Sequence, residues 1–187
     1  MRFLLLGFAF LLSACSNSDS SQTAQTSASS EPPETSSQAE MLSIAKKYID
    51  VNLPGWSIAE RTDYKIWWSF YDGRSVPFMA VTDLNDDRQA DYALMVKKES
   101  ALKLVILLGK GATFTHWIAD DFDTTFDPAA IDLTYGLTVE VPGRIDIVTP
   151  SVQSLIVKSN AFNLMELENR RCVYYWANGE IASFVTM

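Results

Sequence analysis

Apolar and polar positions change rhythm along this 187-residue chain. Residues 3–12 are an almost unbroken apolar run, and residues 16–38 carry almost no apolar side chains at all. Met41, Ile44, Ala45, Tyr48 and Ile49 then recur at helical spacing, which predicts one amphipathic helix. Ser37 and Glu40 stand in the Ser-x-x-Glu pattern that satisfies backbone donors at a helix start, and Leu53-Pro54-Gly55 ends the element. After Trp56 the period falls to that of strands. Strands are expected at 66–71, 76–81, 92–96, 102–108, 112–119, 137–141, 154–157, 171–176 and 180–186. Residues 102–108 are continuously apolar, as in a strand buried on both faces. Residues 120–136 read as a long acidic loop with a turn at Pro128, and Ala177-Asn178-Gly179 as a hairpin turn. The expected fold is mainly β (α+β), an antiparallel β sandwich or propeller-blade-like sheets with one N-terminal amphipathic helix.

The first apolar run is too short to span a bilayer. Preceded by Arg2 and followed by small residues, it has the make-up of a secretory signal. Leu12-Ser13-Ala14-Cys15 resembles the bacterial lipobox, which implies lipidation of Cys15 and cleavage before it. The expected organisation is a signal peptide at 1–14, a lipidated cysteine and disordered Ser/Thr-rich tether at 15–38, and a single globular β-rich domain at 39–187. With so few apolar residues the tether cannot offset its own ordering entropy, and as a coil it spans roughly 25–30 Å. Ser16, rather than aspartate, follows the cysteine, resembling the sorting of outer-membrane lipoproteins that face the periplasm.

The formal net charge of −8 disfavours nucleic acid and anionic lipid head groups as partners, and suits cations or a basic protein. The chain has two cysteines. With Cys15 committed to lipid, Cys172 has no partner for a disulfide and reads as a buried thiol, so the domain relies on its core, a metal ion, or both.

The clearest chemical pattern is Asp83, Asn85, Asp87, Gln89 and Asp91, at positions 1, 3, 5, 7 and 9 of a loop between two strands. Alternate side chains of a tight loop converge on its concave side. With the Gln89 carbonyl they offer an oxygen-only shell suited to Ca²⁺, and without a cation the carboxylates repel one another. The segment resembles the Asp-rich calcium loops of FG-GAP and VCBS-type repeats, and the first part of EF-hand and dockerin loops. That resemblance implies a calcium-stabilised β fold and no catalytic activity. Position 12 is Leu94, so the EF-hand's bidentate glutamate is missing. Position 6 is Arg88 in place of the usual glycine, which demands a positive φ from a residue ill-suited to it.

A second acidic cluster, Asp120, Asp121, Asp123 and Asp127, reads as a solvated loop, a second cation site, a set of carboxylates presented to a basic partner or a glycosidase-like pair. His116 is the only histidine, which excludes His-rich zinc sites; beside Trp117 in a strand it reads as structural. Trp67-Trp68 and Tyr174-Tyr175-Trp176 place aromatics on both faces of their strands, where one face is open to sugar or peptide. The functional expectation is a non-catalytic, lipid-anchored periplasmic binding module stabilised by calcium, of the inhibitor or immunity type, with a basic envelope protein as partner. The alternative is a cell-envelope hydrolase acting on carbohydrate or peptidoglycan through its acidic residues.

Overall fold

The structure is a computed structural model, and it describes residues 36–65, 75–147, 152–166 and 171–186. The signal segment, Cys15, the tether up to residue 35 and Trp67-Trp68, with the strand expected at 66–71, lie outside the described residues.

Helix α1 (Ser36–Asn52) starts one residue before the expected cap; of its expected apolar face Ala45 and Ile49 are completely buried and Met41 and Tyr48 half-buried, whereas Ile44 is 41 % exposed. Three strand sets follow, and among the described residues their pairings are all antiparallel. The first sheet holds β1 (Ser57–Ile58), β2 (Met79–Thr82), β3 (Asp91–Lys98), β4 (Ala101–Lys110) and β5 (Thr113–Thr125). Its order is β1-β3-β4-β5, with β2 pairing β3 beside β1. The second sheet has the order β11-β10-β9-β6, from β6 (Tyr135–Glu140), β9 (Ala161–Glu166), β10 (Arg171–Ala177) and β11 (Glu180–Val185). Strands β7 (Gly143–Ile147) and β8 (Gln153–Val157) form a separate ribbon. The protein is thus mainly β, built of antiparallel sheets with one helix.

The first sheet is covered on both sides. Phe114 and His116 of β5 meet Tyr48 of α1, while Trp117, one residue on, meets Tyr174 of β10. Strand alternation therefore sends odd and even residues of β5 to different layers. Four consecutive residues of β4, Leu104 to Leu107, are at most 1 % exposed, which explains the uninterrupted apolar run. One hydrophobic cluster joins both larger sheets to the helix.

Two departures from the sequence pattern matter. Residues 120–125, expected in a loop, are strand: β5 continues to Thr125 and pairs Asp123 with Lys103, with a register irregularity between Lys103 and Val105. Strands β7 and β9 were not anticipated. The β10–β11 turn forms as expected, with Asn178 at φ 54 and Gly179 at φ 88, the left-handed pair that a two-residue hairpin demands.

Candidate functional site

Residues 83–90 connect β2 to β3, and the loop is pinned from below by Leu84, whose side chain is fully buried. The acidic side chains then organise the backbone above it. Asp83 Oδ1 accepts from the Asp87 amide at 3.1 Å, and Asp83 Oδ2 from the Arg88 amide at 2.8 Å. Asn85 Oδ1 accepts from the same Asp87 amide at 3.2 Å, and Asn85 Nδ2 donates to Asp87 Oδ2 at 3.1 Å. Asp87 Oδ1 accepts from the Gln89 amide at 2.8 Å. Asp83 and Asn85 thereby share the Asp87 backbone N–H, and the Asp87 carboxylate is drawn to them by the Asn85 amide. Asp86 and Arg88 both adopt positive φ, at 60° and 66°. Arg88 therefore does carry the left-handed strain that its place in the pattern implies.

The side chains of the two remaining residues, Gln89 and Asp91, are engaged by other partners. Gln89 Oε1 accepts from the Gly111 amide, in the turn between β4 and β5, and Gln89 Nε2 donates to Asp87 Oδ2 at 3.4 Å. Asp91 is completely buried; its Oδ2 accepts from the Leu84 amide at 2.7 Å and its Oδ1 from the Gly109 amide at 2.8 Å. Burial pushes its carboxyl above the usual aspartate value, against the pull of the Gly109 and Leu84 amides, and the neighbouring Asp87 and Asp83 charges add to the rise. The Leu84 carbonyl in turn accepts from the buried Ser159 hydroxyl at 2.9 Å. The loop is thus tied to the β4–β5 turn and to the segment between β8 and β9.

These donors suit calcium in kind, since they are hard oxygens carrying negative charge. Asp83, Asn85 and Asp87 form the part of the expected shell that converges, while both Asp91 oxygens are directed at backbone amides. Among the described residues, no group of three His, Cys, Asp or Glu side chains is arranged to hold a metal ion.

Of the second acidic cluster, Asp120, Asp121 and Asp123 belong to β5, and their side chains lie outside the description. Asp127 is exposed and accepts from the Ala129 amide at 2.9 Å, a turn-forming bond. His116 is exposed, and its Nδ1 lies 3.0 Å from the Tyr48 hydroxyl, tying β5 to α1. Cys172 is buried in β10, as the sequence pattern implies. Tyr174 is fully buried, whereas Tyr175 and Trp176 are half-buried.

Two polar features carry no signal in the sequence. Asp63 and Lys97 pair at 2.5 and 2.6 Å, with Asp63 4 % exposed, across 34 residues of chain. Gln38, also 4 % exposed, faces a cavity below the first turns of α1. Among the described residues no helix is long and apolar enough to cross a membrane. The chain matches no protein-family model, no curated protein and no solved structure.

Proposed function

We propose that this chain is a non-catalytic binding module of the bacterial envelope. In this reading residues 1–14 are removed, Cys15 is lipidated, the tether runs from Cys15 to the start of α1 at Ser36 rather than to residue 38, and the rest of the chain folds as one domain with its two larger sheets packed as a sandwich. The anchor places the domain at the outer membrane, facing the periplasm, and its acidic surface receives a basic envelope protein in the manner of an inhibitor or immunity protein.

The observation that carries the non-catalytic reading is the use to which the loop carboxylates are put. Asp83, Asp87 and Asp91 all accept backbone N–H groups, so they act as structural acceptors, and no nucleophile or proton-transfer partner meets them in the loop. What they build is a fixed acidic prominence bearing the exposed Asp86 and Asp87. Such a surface steers a basic partner through its field. Calcium belongs to the same proposal. Asp83, Asn85 and Asp87 hold the ion with help from the Gln89 carbonyl, and Asp91 positions the loop rather than ligating. The ion neutralises the carboxylates and stiffens the loop. Its expected signature is a higher melting temperature in calcium than in chelator.

The anchoring half is tested by fractionation. The wild-type chain sediments with membranes and is released by detergent, and Cys15→Ser appears in the soluble fraction. Membrane association that survives Cys15→Ser overturns the lipoprotein reading.

A further inference from the structure

A cavity of about 370 Å³ opens where β2, β6 and the first turns of α1 meet. Both strands lie on sheet edges, and one backbone bond, from the Leu137 amide to the Pro77 carbonyl at 2.8 Å, closes the gap between them at one end. Met41, Val81 and Val139 supply apolar walls, Ser75 and Thr138 supply neutral polar groups, and among the described residues no ionisable side chain lines the space. Val139 is 39 % exposed and forms part of an apolar rim. Gln38 also lines the cavity. It is 4 % exposed, and its buried Oε1 has no hydrogen-bond partner among the described residues.

An unsatisfied amide oxygen inside a folded protein is a standing cost. In a cavity whose other walls are mostly apolar, it is removed by a molecule that brings an N–H or O–H donor. The volume falls at the small end of the range for ligand pockets, and such pockets combine apolar walls with a few placed polar groups. The described lining residues are all uncharged, so none of them repays the desolvation of a charged occupant. We infer that this cavity is a binding site for a small uncharged molecule with an apolar body and one hydrogen-bond donor, received by Gln38 Oε1. The site is separate from the acidic loop and depends on neither calcium nor the anchor.

N-phenyl-1-naphthylamine is a suitable probe: it is uncharged, largely aromatic, carries one N–H, and brightens in apolar surroundings. Titrated into the full chain, it gives a saturable fluorescence increase at one molecule per chain. Gln38→Leu weakens its binding about 3–10-fold, the value of one hydrogen bond, and leaves binding of the N-methylated analogue unchanged. Thr138→Phe fills the cavity and abolishes binding of both probes. Val139→Trp, at the exposed rim where extra bulk meets solvent, does the same without loading the core. Circular dichroism of each variant confirms the fold. The inference is overturned if no saturable increase appears, if binding survives both filling variants, or if Gln38→Leu weakens the methylated analogue equally.

Discussion

Gly109→Ala is the sharpest test of how the acidic loop is held. A Cβ added there stands 2.9 Å from the Ala90 carbonyl oxygen and 2.9 Å from Gln89 Cβ, where ordinary contact begins at 3.4 Å. Its φ lies outside the left-handed region, so alanine meets no backbone penalty and the clash is purely steric. Relief requires β4 and the end of the loop to separate by about 0.5 Å. That movement stretches the 2.8 Å bond from the Gly109 amide to Asp91. Overpacking costs about 1–3 kcal/mol, and weakening a charge-assisted bond adds about 1 kcal/mol, for a total near 2–4 kcal/mol. In a domain of about 150 residues this lowers the melting temperature by roughly 4–16 °C. Gly111→Ala is the control: nothing lies within 4 Å of its added Cβ, and φ is +62°. It pays only the left-handed cost of about 1–2 kcal/mol. The assay is thermal unfolding of the full chain by circular dichroism. A Gly109→Ala chain that melts within a degree of wild type, or later than Gly111→Ala, refutes the close docking of loop on strand.

Calcium at ten times the dissociation constant of a weak extracellular-type site adds about 1.4 kcal/mol of stability, or roughly 3–6 °C in melting temperature. The gain disappears in Asp87→Ala, and identical melting in calcium and chelator refutes the site. Because burial raises the folded-state value of Asp91 above the ordinary aspartate value, the folded chain keeps a proton that the unfolded chain has released between those two values, and Asp91 contributes a loss of stability as pH rises through that window. Asp91→Asn removes this dependence and at neutral pH leaves either the Leu84 or the Gly109 amide unpaired, costing about 1–3 kcal/mol. Stability curves for the two proteins that run parallel from about pH 4 to neutrality refute the assignment.

The helix, the buried β4 and the Asn178-Gly179 hairpin are legible in the sequence because each rests on local signals: period, continuous apolarity and turn chemistry. β5 is not, because its last third looks like a loop. Asp120, Asp121 and Asp123 break the apolar pattern, yet β5 ends its sheet, and charged residues on an end strand are compatible with pairing on one side and discourage pairing on the other. β9 is hidden for a different reason. Asn163 interrupts its apolar run and is nonetheless buried, because its side-chain amide donates to Glu140 at 2.6 Å on the neighbouring β6. In the loop, the spacing of carboxylates was legible, but the target of Asp91 was not. Its partner Gly109 lies eighteen residues away and becomes its neighbour only through the β3–β4 pairing. The same limit applies to Gln38, whose polarity is ordinary for a helix start until the strands close over it.

The loop pattern is ambiguous in sequence because a cation and a set of backbone amides ask for the same residues. Both present positive charge to the concave side of a tight turn, and both are met by oxygens on alternate residues. Arg88 shows how amides alone can organise such a turn. Its left-handed conformation costs about 1–2 kcal/mol, while the charge-assisted bond from its amide to Asp83 returns about 1.5–3 kcal/mol. The glycine usual at this position is therefore dispensable as long as Asp83 is ionised. Asp91 completes the device from the opposite side, since one of its oxygens holds the start of the loop at Leu84 and the other holds the end of β4 at Gly109. A cation added to this arrangement relieves repulsion between Asp83 and Asp87 without having to fold the loop. Calcium dependence should accordingly be graded and modest, whereas loss of Asp91 should disturb the loop whether or not calcium is present.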